Sequence, residues 1–373
     1  MTPHLLRYFT PILSFSFFTV FLFSSCQYAE PKQKSNELGV VTLEVTGNEA
    51  ARPYFVKGLL LLHSFEYEDA REEFIKAKEA DPGMPMAYWG EAMTYNHTIW
   101  GEQDFEDGRE ALRQLDSLAG STEITALEKD LIKAVKILYK VETPKPERDL
   151  AYSQYLKELH SKYPENHEVA AFYALSLLGS VPEGRDVEIY GQAAKIAQSV
   201  IDENPNHPGA VHYLIHSYDD PDHATLALSA ANTYADVAPA ASHALHMPSH
   251  IYVALGMWDE VVSSNEASYK ASVNRMKAKN LNNDALGYHA YHWLMYGYLQ
   301  QGRIETARSM VLEMEKFTKE SPSKRARVHL VFLKGTYMAE TNTWNGPIAD
   351  IPVDVSDLNV AIAAQYNFLE GMK

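Results

Sequence analysis

A recurring spacing constrains this chain more than its composition does. Counting Ala51 as position 1, Tyr54, Gly58, Leu61, Ala70, Phe74, Ala77 and Pro82 fall at positions 4, 8, 11, 20, 24, 27 and 32. Small residues at positions 8 and 20 let two helices of a hairpin approach closely, and a proline near the end stops the second helix because it lacks an N–H. From Pro208, Tyr218, Ala227, Ala231 and Pro239 fall at 11, 20, 24 and 32. Counts from Ser242 (Tyr252, Gly256, Val261) and Tyr288 (Tyr298, Gly302, Ala307) both give 11, 15 and 20. Looser copies begin near Pro85 and His167, each with extra residues between its helices, and a further pair ends at Pro164.

These offsets resemble the tetratricopeptide repeat. Apolar residues recur at helical spacing nearly throughout, as in Leu131, Val135 and Leu138, and no segment alternates like a strand. The expected fold is therefore all-α: a tetratricopeptide-like superhelical solenoid of about six to seven helical hairpins. The chain divides into residues 1–25 (leader), 26–48 (tether), 49–340 (solenoid) and 341–373 (an irregular tail with a capping helix from about Asp357).

The leader rests on one cysteine. Ile12 to Phe23 is an apolar run of signal-peptide proportions, followed by Ser24-Ser25-Cys26, and Cys26 is the chain's only cysteine. Small residues before a Cys at this point resemble a bacterial lipobox, in which the peptide is cut before Cys26 and the cysteine is acylated. That predicts a lipid anchor in the membrane of a cell envelope, the outer membrane being favoured. One cysteine also excludes an internal disulfide and Cys-rich metal sites on this chain's own thiolates. The formal charge of −16 argues against a nucleic-acid partner.

The histidines are concentrated in one register. In such repeats, positions 2, 5 and 9 of the first helix face the concave side, often with position 12. In the repeats from Pro208, Ser242 and Tyr288 these positions hold His212 and His216; His243, His246 and His250; and His289, His292 and Tyr296. Seven of nine positions are His, where the chain-wide frequency of 15 in 373 supplies fewer than one. The i,i+3 and i,i+4 spacings put each pair on one helix face. Asp219, at position 12, points the same way.

Three readings compete: a divalent metal site, for which imidazole suits Zn, Cu, Fe or Ni; a groove for an organic ligand (protein, peptide or glycan), with stacking from Tyr213, Tyr252, Tyr288, Tyr291, Trp293 and Tyr296; and a hydrogen-bonded structural seam. No HExxH, GxSxG or phosphate-cradling glycine loop is present. His63 and His97 fall at position 13 of their repeats and read as surface or packed residues away from the patch. Trp89 and Met93 read as core.

Two blocks, His207-Pro208-Gly209-Ala210-Val211-His212-Tyr213-Leu214-Ile215-His216-Ser217-Tyr218-Asp219-Asp220 and Ala244-Leu245-His246-Met247-Pro248-Ser249-His250-Ile251, resemble a family of bacterial tetratricopeptide-repeat proteins that carry the patterns HPGAxHYxIHxYD and ALHMPSHI. The resemblance is strong over roughly 203–314 and implies the fold but no particular reaction. The lipobox, Phe-rich leader and Tyr-rich body are also similar to envelope lipoproteins of Bacteroidetes-type bacteria, which accompany polysaccharide uptake. The leading expectation is a lipid-anchored binding or scaffold protein of the cell envelope, accessory to polysaccharide degradation or uptake and without catalysis of its own. The alternative is a His-rich metalloprotein, binding or hydrolytic.

Overall fold

The computed structural model describes residues 37–118 and 122–373; Cys26, the leader and the first part of the expected tether lie outside them. The described chain is an all-α solenoid of helical hairpins. The hairpins are α1 (Arg52–His63) with α2 (Tyr67–Ala80), α3 (Pro85–Met93) with α4 (Phe105–Ser117), α5 (Ala126–Leu138) with α6 (Lys145–Lys162), and α7 (His167–Gly179) with α8 (Val187–Glu203). Then come α9 (Pro208–Ser217) with α10 (Leu228–Val237), α11 (Ser242–His246) and α12 (Pro248–Ala254) with α13 (Trp258–Ala278), and α14 (Tyr288–Gln300) with α15 (Ile304–Glu320). Beyond them lie α16 (Lys324–Thr341), a stretch without helix, and α17 (Val360–Gly371). Among the described residues no helix is long and apolar enough to cross a membrane.

Local rules explain the boundaries. Prolines open α3, α9 and α12, where a missing N–H costs nothing. Thr125 and Glu128 form a capping box on α5, and Asn166 and Asp186 cap α7 and α8. The repeat's small positions do what their spacing implies: a Cβ on Gly58 or Gly90 would lie 2.9 or 2.3 Å from the Phe74 ring, so α1 and α3 both close on α2. In the repeat from Ser242, Pro248 splits the first helix into α11 and α12. The extra residues after α3 form a small antiparallel pair, Asn96–His97 with Glu102–Gln103, the one departure from helix in that region. Leu59–Leu62, Trp89 and Met93 are buried core, and the Trp89 indole N–H donates to the Leu131 carbonyl at 3.1 Å.

Two features differ from the sequence reading. The described end of the expected tether, 37–48, is strapped to the solenoid. The Val40 N–H donates to the Asn206 carbonyl at 2.8 Å, the Ala240 N–H to the Glu37 carbonyl at 2.9 Å, and the Thr46 N–H and hydroxyl to Glu128 at 2.6 and 2.7 Å. Leu38 and Leu43 are buried, with Val41 and Val45 packed on the core, so alternate residues face inward over 41–45.

The second difference concerns the groove. The first hairpin packs back onto the fifth and sixth, and its connecting turn, Ser64 to Glu66, fills the concave face expected to stand open. Glu66 accepts from the Ser242 hydroxyl at 2.8 Å and the His243 N–H at 2.9 Å, capping α11 from across the array. Arg275 pairs with Asp69, and Lys279 bonds Asp69 and Glu72 at 2.7 Å each. An open concave surface becomes an enclosed seam.

Candidate metal centre

The seam holds six of the seven register histidines in two adjacent triads. Within each triad the candidate ligand atoms all lie within 4.8 Å of one another.

The first triad is His212 and His216 from α9 and His243 from α11. The His212 Nδ1–H donates to the His63 backbone carbonyl at 2.7 Å, which fixes the tautomer and leaves its Nε2 as a bare lone pair. The Nε2 atoms of His212, His216 and His243 are all buried, and none has a hydrogen-bond partner. Buried polar atoms normally find partners, because leaving one unmet costs about 1–3 kcal/mol. Three such atoms facing one another are the strongest chemical signal in the molecule. Burial, reinforced by the neighbouring imidazoles, holds His212 down to about 3, and it holds His216 and His243 well below the ordinary imidazole range. The rings therefore stay neutral, the form that ligates metals.

The second triad is His246 from α11, His250 from α12 and His289 from α14. The His246 Nδ1–H donates to Asn265 Oδ1 at 2.6 Å, and the Asn265 amide is itself oriented by donating to the Val261 carbonyl at 2.8 Å. The His250 Nδ1–H donates to Asp219 Oδ2 at 2.7 Å. The two Nε2 atoms face each other at 3.1 Å. His289 is the exposed member, its ring centroid 4.6 Å from that of His246. The triads adjoin: His216 and His250 centroids are 6.0 Å apart, and His243 and His246 are 5.9 Å apart.

Aromatic rings wall both triads. Phe65 lies 4.3 Å from His212, with Trp100 beyond it 6.0 Å from His243. Trp293 stacks on His250 at 4.3 Å. Phe65 takes φ of 55°, in the left-handed region, to end α1 where a glycine commonly stands. A buried aromatic residue held there shows that its ring over the imidazoles outweighs the backbone strain. Phe65→Gly should therefore destabilise the protein less than Phe65→Ala, by about 1 kcal/mol, the reverse of the usual order. Urea denaturation of the two variants checks this, and an Ala variant as stable as the Gly one would contradict it.

Other sequence candidates are placed differently. His292 does not join a triad. It bonds the Thr336 hydroxyl on α16 at 2.8 Å and stacks near Phe332. Tyr296 sits with it in a neighbouring cleft also lined by Val253, Trp293, Thr336 and Glu340. Asp219 acts behind His250, while Asp220 pairs with Arg185 and His223. Tyr213, Tyr252, Tyr288 and Tyr291 are buried and offer no stacking surface. His97 is packed against Tyr67 at 4.2 Å.

His63 is the largest departure. Rather than lying apart, it is fully buried beside the patch in a third cluster with Glu168 and His207. His63 Nε2–H and His207 Nε2–H donate to the two oxygens of Glu168 at 2.6 and 3.2 Å. His63 Nδ1 meets the Tyr213 hydroxyl at 2.8 Å, and His207 Nδ1 accepts from the Ala210 N–H at 3.1 Å as the cap of α9. Every ring nitrogen there is matched, so this cluster is a latch and not a metal site. Burial acts to raise the Glu168 carboxyl, but the two imidazoles outweigh it and hold it below the usual carboxylate range. Gly209 makes the latch possible, since a Cβ there would lie 2.3 Å from His63 Nδ1.

The class defined by fold and site is a closed helical-hairpin solenoid with a six-imidazole cluster at its seam. No protein-family model matches the chain, and no curated protein is similar to it in sequence. Among solved structures, PilW, a widely conserved type IV pilus biogenesis factor, is 14% identical over 64% of this chain and 98% of its own, with a TM-score of 0.30. Human IFIT1, solved as a dimer with PPP-AAAA, is 15% identical over 79% of this chain and 71% of its own, with a TM-score of 0.39. Yeast Tom70 is 12% identical over 87% and 89%, with a TM-score of 0.24. Likenesses this distant do not bear on what the site does.

Proposed function

We propose that this protein is a metal-binding repeat protein of the bacterial cell envelope, anchored through Cys26, whose ion sits among His212, His216 and His243. One observation carries the metal reading: three buried Nε2 atoms with no hydrogen-bond partner, all within one small space. A tetrahedral ion with bonds of about 2.0–2.1 Å needs its nitrogens about 3.4 Å apart. The candidate ligand atoms lie within 4.8 Å of one another, and binding an ion would draw the rings together onto it. The His63 carbonyl behind His212 is the kind of outer partner that orients a ligating imidazole. Three nitrogen ligands leave a position for water or a bound molecule, and an all-imidazole set suits Zn, Cu, Fe or Ni.

The purified full chain, stripped by chelator and titrated with zinc, should bind at least one ion tightly. Saturation at 100 times Kd should add about 2.7 kcal/mol of stability. His212→Ala should lower affinity by at least about tenfold and remove most of that gain. A chain that binds no zinc, copper, iron or nickel would sink the reading.

The lipobox supports the anchor, and it separates location from folding. Cys26→Ser should release the protein from the membrane fraction and leave its melting curve unchanged; retention in the membrane would count against acylation. A second reading, a peptide or glycan ligand, is favoured by the aromatic and polar lining of the cleft at His292, Trp293 and Tyr296. An accessory role in polysaccharide uptake belongs to that reading, and it predicts that Tyr296→Ala weakens oligosaccharide binding while leaving zinc binding intact.

A further inference from the structure

We propose that His246, His250 and His289 hold a second ion, so that the seam is a two-ion centre of six imidazoles that takes a small anion. The proposal rests on the metal reading but stands on a separate observation. His246 gives its Nδ1 proton to Asn265 Oδ1, and His250 gives its own to Asp219 Oδ2. With Nδ1 carrying the proton in each ring, Nε2 is the atom left free to ligate, and the two Nε2 atoms face each other across 3.1 Å. Two such nitrogens at that distance need one positive charge between them, either a shared proton or a metal ion. Two nitrogens bound to one ion at about 2.05 Å sit about 2.9 Å apart at a right angle and about 3.4 Å apart at the tetrahedral angle. The observed separation falls inside that interval, so the pair is already set for an ion without further movement.

The surroundings match the role. Asp219 and Asn265 fix both tautomers from outside, as outer partners of ligating histidines do. His289 closes the triad from the exposed side, which supplies an entry path. The contact between the triads runs through His216–His250 and His243–His246, so two ions would be close neighbours. An imidazole ligand brings no negative charge to set against two divalent ions, and among the described residues Asp219 is the one carboxylate bonded to any of the six rings through its side chain. The unbalanced positive charge calls for an anionic ligand such as hydroxide, carboxylate or phosphate on the His289 side.

Stoichiometry decides the matter. The metal-free full chain should take up two zinc ions per chain, measured by elemental analysis after equilibrium dialysis. His289→Ala changes an exposed ligand and leaves the core intact; it should retain one ion and weaken the other at least about tenfold. Asp219→Asn keeps the shape but loses the carboxylate, and it should weaken one ion of the two by about 10–100-fold. Inorganic phosphate should bind the two-ion protein and not the metal-free one. One ion per chain, unaffected by His289→Ala, would overturn the second site while leaving the first standing. One ion lost equally in His289→Ala and His212→Ala would show a single shared site and also overturn the proposal. No ion at all would remove both readings together.

Discussion

Truncating Glu168 to Ala should cost the metal-free protein about 3–5 kcal/mol, the largest loss expected from a single substitution here. The carboxylate is buried at the first turn of α7, where the helix N-terminus favours negative charge. It holds together His63 at the end of α1 and His207 at the cap of α9, two positions 144 apart in sequence. Removing it leaves two buried imidazole N–H groups unmet, which is the costly way to break such a network. Glu168→Gln should cost far less, about 1–2 kcal/mol. The glutamine oxygen can still accept from His207, whose tautomer is pinned by the Ala210 N–H. Its NH2 can donate to His63 if that ring shifts its proton to Nδ1 and gives it to the Tyr213 oxygen. Denaturant unfolding of both variants measures the difference, and equal losses would show that charge, not hydrogen bonding, holds the latch. Function is coupled to it. The His63 carbonyl orients His212, so Glu168→Ala should also weaken zinc binding although Glu168 touches no candidate ligand.

The latch also shows what the sequence could and could not say. Period and small-residue spacing made the helical hairpins legible, because each hairpin obeys rules that act within about 34 residues. The histidine register was legible for the same reason: positions 5 and 9 of successive first helices must share a face. The closure of the array was not. It brings the turn after α1 against α9 and α11, and no local rule says that a solenoid will fold back on itself. Once it does, groove position 2 of the repeat from Pro208 must be glycine to admit His63, and the one non-histidine in that repeat's register is explained. His292 was drawn into the patch by its i,i+3 spacing from His289, yet α16 supplies it with Thr336 instead. Asn265 was invisible for a similar reason. A lone polar residue on the buried stripe of α13 gains meaning only when His246 is seen to need an acceptor.

Acid should unfold the metal-free protein abruptly, at a pH where ordinary carboxylates are still ionised. Four rings of the seam, His212, His216, His243 and His246, are pressed by burial and by one another below the ordinary imidazole range, His212 down to about 3. In the unfolded chain the same rings titrate near 6.5. The unfolded state therefore binds more protons as the pH falls through 6.5, and stability must fall with it. The contribution is fully present above about pH 7, and its loss continues until the folded rings themselves accept protons. Each ring costs about 1.4 kcal/mol per pH unit, so four together cost about 5 kcal/mol between pH 6 and 5. A fold of ordinary stability, about 5–15 kcal/mol, spends most of its margin within one or two units. The measurement is helical circular dichroism against pH, with proton uptake on unfolding read from the slope of stability. The metal-free protein should take up at least four protons, since His289, His292 and His329 are held low in the same way, and lose its fold between about pH 6 and 4.5. Saturating zinc should move the midpoint to lower pH, since the bound ion occupies the lone pairs that protons need and binds the folded state alone. Uptake of less than one proton between pH 6 and 5 would mean that the rings are already protonated in the folded seam. That would remove the neutral lone pairs on which a metal centre depends.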